Sequence, residues 1–327
     1  LCASNVPSGS YQVSVNDANG CSATANVTVS DNSAGTASAA VNNNVFCNGG
    51  CTGSATATMT GGQAPFTYLW TTGATPTAAT TAGLCVGNAS VTITDANGCS
   101  STTSITIGEP TAITLLNSFT PVTCNAGSNG TVTTVASGGT SAVAYSYSWV
   151  NQTTSAVVGT TPTVNGLTAG TYCVTVTDDN NCTANGCVTI TQPALITMTP
   201  ASTNSNCAQA NGTLSVSGIV GGSGTYVSTV WTDASATVVA NPNAVLAGSY
   251  TVTVTDNNGC IGTTTINVND LTGPTASFVS AVNTLCNGDC NGQGVANVTG
   301  GVAPYTLVWS PAPASGQGTL SIGGLCA

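Results

Sequence analysis

The sequence predicts an all-β protein: a tandem array of disulfide-stapled, immunoglobulin-like β-sandwiches of about 80 residues each, strung into an elongated rod. Three observations predict it. The segment Tyr11–Cys21 returns at Ala89–Cys99, Tyr172–Cys182 and Tyr250–Cys260, alternating apolar and polar residues before a tight turn and a cysteine. A tryptophan recurs at one strand position per unit, at Trp70, Trp149, Trp231 and Trp309. The chain also carries 15 cysteines, a density suited to small extracellular domains.

Residues 32–110 show one complete unit. Val45-Phe46 leads into the tight turn Cys47-Asn-Gly-Gly-Cys51. From Gly53 to Thr60, Ala55, Ala57 and Met59 alternate with Ser and Thr, a half-buried strand. Gly61-Gly62 turns the chain into Pro65–Trp70, where Phe66, Tyr68 and Trp70 are two apart and face one way. A Thr/Ala-rich stretch reaches Gly83-Leu84-Cys85. Val91–Asp95 then pairs through Ala96-Asn97-Gly98 with Cys99–Ile107, and Gly108-Glu109-Pro110 closes the unit. Two more units follow at 111–193 and 194–271. Residues 1–31 read as the C-terminal part of a further repeat and 272–327 as the N-terminal part of another. Leu1-Cys2-Ala3 and Leu325-Cys326-Ala327 are the same motif, so the chain is expected to be a window on a longer array.

Composition excludes whole classes of function. There is no Lys, Arg or His in 327 residues, against ten acidic residues. Binding to nucleic acid or anionic membrane needs cationic side chains, so neither is expected. Histidine general bases, lysine Schiff bases and arginine oxyanion clamps are all unavailable. No apolar run is long enough to insert in a membrane, and no signal peptide opens the sequence; targeting parts are expected elsewhere. Disorder is not expected, because hydrophobic residues make up 41% and alternate regularly. An enzyme is not expected.

The cysteines sort by unit. Unit 194–271 has only Cys207 and Cys260, so these are expected to pair, and by analogy Cys47 with Cys99 and Cys124 with Cys182. Cys51 then has Cys85, and Cys290 has Cys326. Cys173 and Cys187, on adjacent strands of one hairpin, are expected to bridge each other. Cys2, Cys21 and Cys286 are left to partners outside the segment. This accounting stands on Cys207 reaching Cys260. A rival reading, thiolate metal sites, lacks histidines and paired Cys-x-x-Cys knuckles.

Asp17, Asp95, Asp178 and Asp256 each precede the hairpin turn. They could give oxygens to Ca²⁺, with Asp31, Glu109 and Asp270 near the joints as further ligands, although one carboxylate per copy is sparse. The plainer reading is an Asx turn, in which Asp accepts backbone N–H bonds while Asn-Gly turns left-handed; Asn181, which replaces the glycine, tolerates that conformation too. No other metal and no cofactor is expected. The tryptophans likewise admit two readings, one core residue per sandwich or a platform for sugars. Sequons at Asn26, Asn88, Asn151, Asn181, Asn211 and Asn297 permit N-glycosylation.

The motif series Cys-Asn-Gly-x-Cys, Gly-Gly-x-Ala-Pro-[Phe/Tyr]-Thr-x-x-Trp, Gly-Leu-Cys and Val-Thr-[Ile/Val]-Thr-Asp-x-Asn-Gly-Cys resembles the SprB-type repeat, best over 47–110 and 286–326. Units 111–193 and 194–271 depart from it at the second opening cysteine and at the Leu-Cys position. The resemblance implies an immunoglobulin-like fold, type 9 secretion and display in long cell-surface filaments of gliding Bacteroidetes, with no catalytic residues. The expected function is a structural and adhesive segment of a secreted gliding adhesin, a disulfide-stabilised spacer and contact surface. Its expected partner is an extracellular surface or glycan. The alternative is a set of carbohydrate- or ligand-binding modules. Because lysine, the usual guard of sheet edges, is missing, self-association into fibres is also expected.

Overall fold

The computed structural model describes residues 5–31, 35–140, 144–286 and 288–326; Cys2 lies outside them. Among the described residues every regular element is a β-strand. No helix there is long and apolar enough to cross a membrane.

Residues 36–109 form a two-sheet sandwich. Strands β1 (Gly9–Asn16) and β2 (Ser22–Val29) precede it as a separate hairpin. The first sheet of the sandwich orders β3 (Thr36–Asn43), β4 (Gly53–Thr60) and β6 (Thr80–Leu84) as β3-β4-β6. The second orders β5 (Thr67–Trp70), β7 (Gly87–Thr94) and β8 (Ser100–Ile107) as β5-β7-β8. All pairs are antiparallel. Alternation in sequence becomes alternation in burial: Ala55 and Ala57 point inward from β4, Ala89, Val91 and Ile93 from β7. Small residues on β4 leave room for Trp70 from the facing sheet, and Leu84 and Ile107 complete the core. Each fully buried Val or Ile there contributes about 1.5–3 kcal/mol relative to exposure. Two antiparallel sheets closed over one tryptophan are the immunoglobulin-like plan that the alternation predicts.

The outward faces carry hydroxyl and amide ladders where other proteins place charges. Ser38 meets Thr58 at 2.8 Å, Thr56 meets Thr80 at 3.0 Å and Thr92 meets Thr102 at 3.0 Å across adjacent strands. Such pairs contribute a few tenths of a kcal/mol each, up to about 1.

The next repeat doubles the plan. Thr114–Thr120, Gly130–Ser137 and Thr163–Leu167 form one sheet; Ser146–Asn151, Val157–Gly159, Gly170–Thr177 and Thr183–Ile190 form the other. In the repeat after it, Thr197–Thr203 pairs with Thr213–Val220, and Tyr226–Asp233, Gly248–Asp256 and Ile261–Val268 make the second sheet. Past it, Thr275–Val282, Gly292–Thr299 and Ser321–Leu325 make a single three-stranded sheet.

The chain clusters into two compact units. One holds residues 1–120, 131–165 and 170–190; the other holds 121–130, 166–169 and 191–327.

Candidate functional site

Two structures recur along the chain, one at each end of every sandwich. The first is a carboxylate node at the hairpin tip. With no cation in the sequence, a buried Asp must be balanced by N–H dipoles. Asp95 is 6% exposed, and its Oδ1 accepts from the backbone N–H of Asn97 at 3.0 Å and Cys99 at 2.9 Å. Its Oδ2 accepts from Gln63 N–H at 3.1 Å, which ties the tip to the Gly-Gly loop. Asp178 repeats this with Asn180, Cys182 and Thr140, and Asp256 with Asn258, Cys260 and Ser223.

These contacts set the acidity. The Gln63 N–H holds Asp95 below the usual carboxylate range, against the upward push of burial and with help from the Cys99, Asn97 and Gly98 N–H groups. For Asp178 and Asp256 burial is the largest single influence and pushes upward, yet the backbone donors together outweigh it and both sit low. Glycine is required opposite: Gly139 has φ +66°, and a Cβ there would meet Asp178 Oδ2 at 2.7 Å. Asn181 takes the turn position of Gly98 at φ 64°.

The second structure is the joint, where an opening turn lies beside the strand ends that close its repeat. Val45 N–H donates to Gly108 O at 3.0 Å, Gly49 N–H to Glu109 Oε2 at 2.7 Å and Asn48 Nδ2 to Pro110 O at 3.1 Å. Ala126 N–H to Gln192 Oε1 at 2.8 Å, and Ala208 N–H to Asp270 Oδ1 at 3.1 Å, repeat the anchor. Glu109 and Asp270 therefore cap opening turns, and Asp31 accepts from Ser8 Oγ at 2.7 Å. Asp17 Oδ1 accepts from Asn19 and Cys21 N–H, the same turn bonds as at Asp95. Among the described residues no three Cys, Asp or Glu side chains converge as a metal ligand set.

The disulfides correct the expected pairing. Cys51–Cys85, Cys173–Cys187 and Cys290–Cys326 are joined within repeats. Cys47, however, is joined to Cys182 and not to Cys99, and Cys124 is joined to Cys260 and not to Cys182. Cys207 therefore does not bind Cys260; it is exposed, as are Cys21 and Cys286, and none of the three forms a disulfide among the described residues.

The reason is strand direction. Cys47 lies at the closing end of its sandwich, whereas Cys99 lies at the tip of the β7–β8 hairpin, one strand length of ~25 Å away. The tip that reaches Cys47 belongs to the next repeat: Asn180 Nδ2 donates to Phe46 O at 3.3 Å, and Cys182 sits beside it with a Cα–Cα distance to Cys47 of 5.5 Å. Each bridge thus joins the opening turn of one repeat to the hairpin tip of the following repeat. Counting cysteines does not reveal this pairing; strand direction, which places turn and tip at opposite poles, is the signal that points to it.

Three tryptophans are core residues: Trp70, Trp149 and Trp231 are buried, and Trp70 Nε1 donates to Ala78 O at 3.0 Å. Trp309 differs. It is only half-buried against Phe278, with ring centroids 5.9 Å apart, because 272–326 has no second sheet to cover it.

The family model for the SprB repeat matches residues 39–75, 116–154 and 279–314, so the chain is similar to that repeat in three regions. No curated protein matches the chain. Among solved structures it is similar to the three N-terminal domains of the bacteriophage RB49 highly immunogenic outer capsid protein, at 17% identity over 72% of this chain and 99% of that one, TM-score 0.35. It is also similar to the N-terminal eight Ig domains of Down syndrome cell adhesion molecule, at 15% identity over 97% and 47%, TM-score 0.28. A third is the S-layer protein rSbsC, at 16% identity over 90% and 53%, TM-score 0.26. Such low scores leave the fold to rest on the strand pairing itself.

Proposed function

We propose that this chain is a structural and adhesive segment of a long secreted cell-surface filament, of the gliding-adhesin kind, in which cross-repeat disulfides limit extension under load. The observation that carries the reading is the overlap of two covalent loops, Cys47–Cys182 and Cys124–Cys260. Between Cys47 and Cys260 the chain becomes two rails of nearly equal length. One runs through residues 48–123 and crosses at Cys124; the other crosses to Cys182 and runs through 183–259. Unfolding of any single repeat cannot lengthen the segment beyond one rail. Similarity to the SprB repeat supports display outside the cell, as does a disulfide set that persists only in an oxidising setting. The absence of Lys, Arg and His supports a role in which no residue performs acid–base chemistry. Glycan stacking is less well supported: the exposed Phe278 and Tyr305 and the half-buried Trp309 sit where complete repeats hold core residues.

Single-molecule stretching of the chain tests this. At 0.33–0.36 nm per residue, reductant should release roughly 45 nm of contour between Cys47 and Cys260. Equal unfolding lengths with and without reductant would reject the load-limiting role. Adhesion is tested separately, by binding of the chain to glycan and polymer surfaces; no retention on any would leave a spacer without grip.

A further inference from the structure

Each complete repeat places a cross-strand pair at the same point of its closing hairpin, and the three pairs differ. They are Ser90↔Ser104 in 36–109, Cys173↔Cys187 in 111–193 and Thr251↔Thr265 in 194–271. Cys173 sits between the buried Tyr172 and Val174, so it points away from the core. Its bond to Cys187 therefore lies on the outer face of the sheet. The other two repeats close their cores with hydroxyl side chains at this point. The bond is not what holds the sandwich shut.

The bridge stands in the open. Cys187 is exposed and Cys173 half-buried, whereas Cys182 and Cys260 of the cross-repeat bridges are 9% and 6% exposed. Thr171–Thr189 and Thr175–Asn185, hydrogen-bonded at 2.9 and 2.7 Å, flank it with short polar side chains. With no Lys, Arg or His in the chain, no cation stabilises a thiolate at any bridge, and access sets the order of exchange. Cys51–Cys85 is exposed as well, but it lies beyond the last ladder pair, Gly53↔Leu84, where no strand pairing holds the thiols together after opening. Cys173 and Cys187 stay opposite each other in a ladder that runs from Gly170↔Ile190 to Thr177↔Thr183.

The two sulfurs are not equivalent. A thiolate attacks a disulfide sulfur in line with the bond that breaks. Attack on Cys173 Sγ has to come across Val150, which is paired with Cys173 and shares its outward face, since Trp149 beside it is buried. Attack on Cys187 Sγ comes from the sheet edge, because Thr183–Ile190 is the outermost strand of its sheet among the described residues.

We propose that Cys173–Cys187 is a reversible thiol-exchange site that takes a small thiol as a covalent adduct on Cys187. This goes beyond the filament reading and stands independently of it. The incoming thiolate bonds to Cys187 Sγ, the Cys173–Cys187 bond breaks, and its electron pair leaves on Cys173 as a thiolate. In the return step the Cys173 thiolate attacks Cys187 Sγ, the bond re-forms, and the small thiol departs as its thiolate. The cycle consumes no oxidant and no reductant.

Reduced glutathione on the full 327-residue chain tests this, with thiols already present blocked by N-ethylmaleimide and newly released ones trapped by iodoacetamide. Cleavage after Tyr172 and before Asp178 and Asp179 separates the two cysteines for mass spectrometry. The expected products are a glutathione adduct on Cys187 and an alkylated Cys173, formed on the order of tenfold faster than any product at Cys182 or Cys260. When glutathione is removed before trapping, the Cys173–Cys187 bond should return. Val150→Ala should move part of the adduct to Cys173. Cys173→Ser with Cys187→Ser, which copies the pair in 36–109, should fold and take up no glutathione in this hairpin. Adducts chiefly on Cys173 in the parent chain overturn the proposal. So does opening of Cys47–Cys182 before Cys173–Cys187, failure of the bond to return, or exchange seen only in denaturant.

Discussion

The repeat at 36–109 and the half-repeat at 275–326 share almost every motif, yet only the first has a closed core. Both have the opening turn, the Gly-Gly loop, the aromatic segment and the Leu-Cys bridge. Where the hairpin is present, Trp70 is 3% exposed and Thr67–Trp70 is a strand; in residues 275–326 Trp309 is half-exposed and residues 305–309 form no strand. The difference teaches that strand β5 is a consequence of tertiary pairing. Local sequence favours it, but only β7 supplies the ladder.

The largest effect that would break this comparison is a charge in the shared hairpin position. Val91→Asp, fully buried, should destabilise its repeat by about 5 kcal/mol, while the equivalent Val13→Asp should change the melting of the monomer by less than about 0.5 kcal/mol. Denaturant unfolding followed by tryptophan fluorescence measures both; equal losses would contradict the contrast between the buried Val91 and the exposed Val13. Trp70→Ala should cost about 3–5 kcal/mol and Trp309→Ala only about 1 kcal/mol, by the same assay.

Cys47→Ser breaks a bridge of sequence separation 135 and should cost about 2–5 kcal/mol, whereas Cys286→Ser, at the equivalent turn of the half-repeat, should be close to neutral. Differential scanning calorimetry distinguishes them. Smallest is the pH response. Asp95, Asp178 and Asp256 are held low in the folded state, so their stabilisation is full above the unfolded carboxylate value of about 3.9 and is lost as pH falls through the lower folded values. The chain should therefore melt at nearly constant temperature from about pH 5 to 8, where no histidine titrates, and weaken below about pH 4. Asp95→Ala should remove part of that acid sensitivity and lower the melting temperature by several degrees.

Much of the fold is legible in the residues. The alternation of Ala55, Ala57 and Met59, and of Val91 and Ile93, fixes which face is buried, because side chains on a strand alternate whatever the tertiary setting. The Asp-x-Asn-Gly turn is equally local, since Asp bonds donors two and four residues away. Its third bond is not: Gln63, Thr140 and Ser223 come from a loop more than thirty residues distant in sequence, and nothing in the hairpin names them.

The sequence by itself determined the period and the alternating faces of the strands, set by neighbours within a few residues, and left the tryptophans between two readings that burial of Trp70, Trp149 and Trp231 decided. Only the tertiary structure decided the partners of Cys47 and Cys124. Pairing within repeats and pairing between them draw on the same set of residues, so counting cannot separate the two. The choice falls to the length and direction of a strand, which carries Cys99 to one pole of the sandwich and leaves Cys47 at the other, facing the hairpin tip of the repeat that follows.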